Sequence, residues 1–185
     1  MVKKIVTSLL GTMVISSFLQ AEGMSESKGF VGLEVGYSTI QADVVGFYQE
    51  NNYEGTDIEY GFRIGAQNED WRTMFVFNYF DSTEDNQNYE KGLLQLDYFV
   101  ASLGSGSVVM KPFIGLNVGY MNYESDGEGI TDNIDESGFV YGGQVGIAVS
   151  FSKTVDVDLM YRYSLADTDY TDHIGSIVLG VNYNF

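Results

Sequence analysis

Apolar residues recur at every second position along most of this chain, with small or polar residues between them. The last ten residues, SIVLGVNYNF, show the pattern. Ile177, Leu179, Val181, Tyr183 and Phe185 form one set, and Ser176, Val178, Gly180, Asn182 and Asn184 the other. A period of two marks a β-strand with unlike faces. Seven further runs share it. Val31–Tyr37 alternates with Gly32, Glu34 and Gly36, and Ile58–Ala66 with Glu59, Gly61, Arg63, Gly65 and Gln67. Thr73–Tyr79 alternates with Met74, Val76 and Asn78, and Leu94–Val100 with Gln95, Asp97, Phe99 and Ala101. Ile114–Tyr120 alternates with Phe113, Gly115, Asn117 and Gly119, with Pro112 expected to open that strand because a sheet tolerates proline there. Tyr141–Phe151 alternates with Gly142, Gln144, Gly146, Ala148 and Ser150, and Val155–Tyr163 with Asp156, Asp158, Met160, Arg162 and Ser164.

The connections alternate in length. Those around Asn68–Trp71, at LGSGS and at Ser152–Lys153 are short. Those at 40–56, 81–91, 123–137 and 166–173 are long and polar. This spacing predicts an antiparallel up-and-down meander of eight strands.

The second face identifies the inside. It is crowded with glycine, at Gly32, Gly36, Gly61, Gly65, Gly115, Gly119, Gly142, Gly146 and Gly180. Glycine weakens a solvated strand but suits a cramped interior, and an eight-stranded barrel has a lumen only wide enough for its own side chains. The same face mixes charges of both signs, Glu34, Glu59, Asp97, Asp156 and Asp158 with Arg63 and Arg162. Charges in so narrow a space need partners. Arg63 is expected to pair among Glu34, Asp97 and Asp158, and Arg162 with Glu59. The first face is almost free of charge and carries aromatics toward strand ends, as hydrocarbon and its interfaces demand. Only a closed barrel lets strands cross lipid, which offers edge amides no partner. The predicted fold class is therefore an all-β, transmembrane, eight-stranded antiparallel up-and-down β-barrel, spanning residues 29–185.

Composition adds three constraints. Residues 1–21, MVKKIVTSLLGTMVISSFLQA, have a basic pair, a short apolar run and a small terminal residue, the plan of a cleaved signal peptide, followed by a short lead over 22–28. Losing Lys3 and Lys4 with no acid takes the formal charge from −17 to −19, which argues against a nucleic-acid partner. The absence of cysteine excludes disulfides and thiolate chemistry. No cofactor is called for.

With these features the chain resembles the small eight-stranded outer-membrane barrels of Gram-negative bacteria, a group that includes the OmpA transmembrane domain, OmpX/Ail-like proteins and "porin family" barrels. Gly180, Tyr183 and the terminal Phe185 resemble that family's assembly signal, with Val178 departing from the usual polar residue two before the glycine. The resemblance implies export by the Sec route, the cell outer membrane as destination, and the barrel assembly machinery as a partner during biogenesis. It also implies outward long loops and periplasmic short turns.

The long connections hold Asp43, Glu50, Glu54, Asp57, Asp81, Glu84, Asp85, Glu90, Glu124, Asp126, Glu128, Asp132, Asp135, Glu136, Asp167, Asp169 and Asp172, against the single base Lys91. A hydrated acidic cell-surface face follows, with a structural, adhesive or protective role. Outer-membrane lipids and lipopolysaccharide are expected partners, bridged by Ca²⁺ or Mg²⁺, which take carboxylate oxygens. The loops hold no defined metal-site register, and the sequence names no external ligand. A small porin or narrow channel is the alternative. A lipid A-modifying enzyme ranks third, resting on His173 and Ser176, whose spacing of three places them on opposite faces of a strand; no enzyme activity is expected.

Overall fold

The computed structural model describes residues 27–45, 50–82, 87–105, 108–125, 134–168 and 171–185. The expected leader and most of the lead lie outside this set, as do Glu84, Asp85, Asp126, Glu128, Asp132 and Asp169. The strands are β1 (Lys28–Val45), β2 (Glu50–Gln67), β3 (Trp71–Ser82), β4 (Gln87–Phe99), β5 (Leu103–Ser105), β6 (Val108–Ser125), β7 (Ile134–Ser150), β8 (Val155–Asp167) and β9 (Thr171–Asn184). Each long strand pairs antiparallel with its neighbours in sequence, and β4 pairs with β6 past the three-residue β5. The two ends of the chain meet where β1 pairs with β9, from Phe30↔Asn184 to Ala42↔Thr171. All eight long strands thus have two partners, and the sheet closes into a barrel without a free edge.

The strands run well beyond the alternating stretches. β1 and β2 stay paired up to Val45↔Glu50, and β6 and β7 up to Ser125↔Ile134. Most of the long polar connections are therefore the upper parts of strands. Asp43, Glu50, Glu54, Asp57, Asp81, Glu90, Glu124, Asp135, Glu136, Asp167 and Asp172 all lie in strands. In those extensions polar residues such as Asp81, Glu90 and Glu124 replace apolar ones on the outer face while Phe80, Tyr89 and Tyr123 lie buried on the inner one, so the pattern of the apolar band is lost while the hydrogen-bond ladder continues.

Pro112 does not open its strand. It is the fifth residue of β6, paired with Ile147 of β7. Its carbonyl accepts from Val100 N at 2.8 Å, just past the last β4 pair, Phe99↔Phe113. The donor that proline lacks would point to the side where the β4 ladder has ended, so little is lost there. The LGSGS stretch is a miniature hairpin between β5 and β6 rather than a plain turn. Gly104 sits in it at φ 115°, a conformation open to glycine.

The Leu/Val/Tyr face points outward on every long strand. Leu33 is 67%, Leu116 69% and Phe185 72% exposed. An apolar band this large and continuous requires hydrocarbon around it. Three outward glycines are covered by rings from other strands or the chain terminus: Gly29 by Phe185, Gly92 by Phe75 and Gly175 by Tyr161. Aromatic cover of this kind restores packing where a strand lacks a side chain. Leu179 lies at mid-height between Val35 and Leu159. Leu179→Arg should lower folding stability in lipid vesicles by about 2–4 kcal/mol, measured by urea titration. A loss below half a kcal/mol would mean that this face does not meet hydrocarbon.

Candidate functional site

The inner face supplies the only dense chemistry among the described residues. Period-two geometry aims Glu34 from β1, Glu59 and Arg63 from β2, Asp97 from β4, and Asp156, Asp158 and Arg162 from β8 into the lumen, and all seven are buried. Three further ionic or polar participants stand beside them: Arg72 on β3, and Lys91 and Tyr89 on β4.

Eight of these charges form one alternating column. Lys91 Nζ lies 2.7 Å from Glu59 Oε2, and Glu59 Oε1 lies 3.5 Å from Arg162 Nη1. Arg162 Nη2 reaches Glu34 Oε1 at 3.0 Å, and Glu34 Oε2 stands 3.8 Å from Arg63 Nε. Arg63 Nη1 meets Asp158 Oδ1 at 3.1 Å, and Asp158 Oδ2 meets Arg72 Nη1 at 2.9 Å. Arg72 Nη2 closes the series on Asp97 Oδ2 at 2.8 Å. Plus and minus alternate from Lys91 to Asp97, so the column is neutral although the chain is strongly acidic.

Neutral groups satisfy much of what the ions leave open. Asn78 donates to Glu34 at 2.7 Å, Gln144 to Asp97 at 2.7 Å and Asn182 to Asp158 at 3.1 Å. The Tyr89 hydroxyl donates to Glu59. The Gln95 amide, with its oxygen turned to Arg162, accepts from Nε at 2.9 Å. Desolvating ions costs several kcal/mol each, and only such saturation makes a buried column tolerable.

Arg63 pairs with Glu34 and Asp158, while Asp97 goes to Arg72. Arg162 reaches Glu59 and, more closely, Glu34. Asp156 joins no cation among the described residues: the Asn184 amide donates to it at 2.8 Å and Gln67 donates as well. Lys91, read in the sequence as the one base of the loops, is an inward residue of β4. Arg72 and Lys91 were both reachable by extending the alternation, Arg72 one step before Met74 and Lys91 one step before Leu93. The apparent end of each strand hid them.

Apolar side chains cap the column. Toward the long connections, Ile40, Phe80, Tyr89, Tyr123, Val140 and Ile174 are buried together, and the Phe80 and Tyr89 rings stack at 4.6 Å. Toward the short turns, Phe99 and Phe113 pack edge to face, and the Arg72 guanidinium lies 4.7 Å from the Phe113 ring centre. Ser176 points inward, and its hydroxyl is bound by Ser38 at 2.7 Å. His173 Nδ1 stands 2.8 Å from Asp172, beside the Tyr163 ring, so the two are not brought together as a catalytic pair. No group of three or more Asp, Glu or His among the described residues could hold a metal ion.

The terminal triplet has defined positions. Gly180 faces Glu34 on β1 and Asp158 on β8, and the Arg63 guanidinium fills the space a Cβ would take. Tyr183 faces Val31 and Val155 on the outer wall. Phe185 donates its N–H to Gly29 at 2.9 Å.

A family profile described as "Outer membrane protein beta-barrel domain" matches residues 7–185. Among solved structures, Neisserial surface protein A aligns at TM-score 0.63 and 14% identity, covering 87% of this chain and 100% of that one. Outer membrane protein H of Pseudomonas aeruginosa aligns at 0.56 and 22%, covering 85% and 99%. The N-terminal barrel of OprF from the same organism aligns at 0.53 and 15%, covering 86% and 100%. At these identities the likeness is one of fold. No curated protein matches the chain.

Proposed function

The chain belongs to the outer membrane β-barrel protein family, and on that premise we propose that it serves at the cell surface through its acidic end rather than through its lumen. The observation that carries this reading is the separation of charge. The lumen column is self-neutralised, while Asp57, Asp81, Glu90, Glu124, Asp135, Glu136, Asp167 and Asp172 stand toward the end where the long connections lie. In barrels of this kind long connections face outside and short turns face the periplasm. The role is structural, adhesive or protective. Lipopolysaccharide phosphates are the nearest partners, reached through Mg²⁺ or Ca²⁺ as hard-ion bridges between carboxylate and phosphate oxygens. Export by the Sec route and reading of Gly180, Tyr183 and Phe185 by the assembly machinery belong to the same proposal. The outer ligand remains open to basic partners.

Vesicles carrying the barrel should associate with lipopolysaccharide vesicles in Mg²⁺ and separate in a chelator. Changing Glu124, Asp135, Asp167 and Asp172 to their amides should weaken that association several-fold. Association indifferent to both would end this reading.

A narrow channel is the second reading, favoured by one observation: the polar column runs along the lumen. Eight strands leave little bore, and the apolar clusters at both ends oppose ion entry. We expect no steady conductance above the bare-membrane level in planar bilayers. A reproducible single-channel current would make the channel the better account. We assign no catalysis, since Ser176 is held by Ser38 and lies away from His173.

A further inference from the structure

At the short-turn end the barrel opens into a cavity of about 930 Å³, away from the acidic surface. Its lining includes Lys28, Lys111 and Lys153 with Gln67, Asn184 and Phe99. The lysines come from different parts of the ring. Lys28 is on β1 and Lys111 on β6, opposite each other in an eight-strand circle, while Lys153 is in the β7–β8 turn. Lys28 and Lys111 are in the inward register of their strands, the register of Phe30 and Phe113.

These lysines contrast with every other described cation. Arg63, Arg72, Lys91 and Arg162 each have carboxylate partners within 4 Å, whereas none of the three mouth lysines does among the described residues. Lys111 instead lies 4.9 Å from the Phe99 ring centre and 3.4 Å from the Glu69 carbonyl oxygen. Acids are not lacking at this mouth. Glu69 and Asp156 line the same cavity, but Asp156 is taken by the Gln67 and Asn184 amides and Glu69 pairs with no described lysine. In a chain with 26 acids and 9 bases, three unpaired ammonium groups around one cavity are unexpected.

We propose that this vestibule binds a phosphate-bearing anion from the periplasmic side. Lysine ammonium groups act on phosphate as movable point charges. The Ser102 and Ser150 hydroxyls and the second amide proton of Asn184 line the cavity as further donors, while both Gln67 amide protons are spent on Asp156 and Asn184. Phe99, backed by Phe113, floors it and separates the anion from the ion column. The phosphate can come from a free solute or from the headgroup of an anionic lipid of the adjoining leaflet. Glu69 works against binding and tunes it.

The test uses the full barrel in nanodiscs. In phosphatidylcholine discs, calorimetric titration with inorganic pyrophosphate should give saturable binding that weakens at high salt, because exposed charges are screened beyond about 8 Å at physiological ionic strength. The Lys28→Gln/Lys111→Gln/Lys153→Gln variant should lose affinity tenfold or more, and Glu69→Gln should gain it. Lys153→Gln, in an exposed turn, should weaken binding several-fold and serves alone if the triple variant does not reach the folded band on an unheated gel. In parallel, mixed discs with phosphatidylglycerol are analysed by native mass spectrometry for retained lipid. Lysine-dependent pyrophosphate binding assigns a soluble anion, and lysine-dependent lipid retention without it assigns the headgroup. If neither readout depends on the lysines, the proposal is overturned.

Discussion

Arg162→Met should remove about 3–5 kcal/mol of folding stability, the cost of breaking a buried ion pair by deleting one partner. Arg162 is the link between Glu59 and Glu34, and all three side chains are about 1% exposed. Without it Glu59 keeps Lys91 and the Tyr89 hydroxyl, while Glu34 keeps only the distant Arg63 Nε and the Asn78 amide. Trp71, the sole tryptophan, reports unfolding in urea. Adding Glu34→Gln to the variant should restore part of the loss, because the orphaned charge is then gone. A single-variant loss under 1 kcal/mol, or no recovery in the double variant, would show that the column is not an energetic unit.

The second large effect is expected at Gly180. The Arg63 guanidinium occupies the place of its missing side chain, so Gly180→Val must push Arg63 off Asp158. Overpacking costs about 1–3 kcal/mol by itself, and losing the buried pair adds several more. We expect little or no heat-modifiable folded band on an unheated gel. Gly143→Ala is the control. That glycine faces outward, and its nearest obstacle is the Gly115 carbonyl oxygen at 3.2 Å. It should fold with a small loss. Equal behaviour of the two variants would remove the packing argument for the lumen glycines.

The membrane-embedded part of this architecture was legible in the chain because lipid and lumen impose opposite demands on successive residues. Val35 and Glu34 cannot exchange places, and the alternation records that. Legibility stopped where the outer environment changed. Above the apolar band the outer positions meet water and turn polar, as at Glu124, while inner ones such as Tyr123 stay buried, so the apolar-outside pattern gives no sign of a strand there. Alternation therefore begins β2 late, at Ile58, and ends β6 early, at Tyr120, and their tops look like loops. Arg72 and Lys91 were lost for a related reason. Each stands just outside the apolar run of its strand, Arg72 before Thr73 and Lys91 before Leu94, where an inward charge resembles a loop charge. The pairing of the column was partly readable. Shared depth along the strands suggested Arg63 among Glu34, Asp97 and Asp158, and the lumen is narrow enough for Arg63 on β2 to reach Asp158 on β8 across two intervening strands. The choice of Arg72 for Asp97 depended on β3 beginning at Trp71, before the apolar run.

The ladder between β1 and β9 joins the first strand of the barrel to the last, and its consequence is kinetic. Arg162 and Glu34 are 128 residues apart, and Arg63 and Asp158 are 95 apart. Neither contact is available to a nascent sheet that has not yet curled round, and such distant contacts bear the largest loop-closure entropy. Until the circle shuts, the carboxylates and guanidinium groups must stay hydrated or unmatched, and an open ribbon has no cheap place in a bilayer. Partly assembled forms should therefore be sparse, with insertion and sealing arriving as one cooperative event.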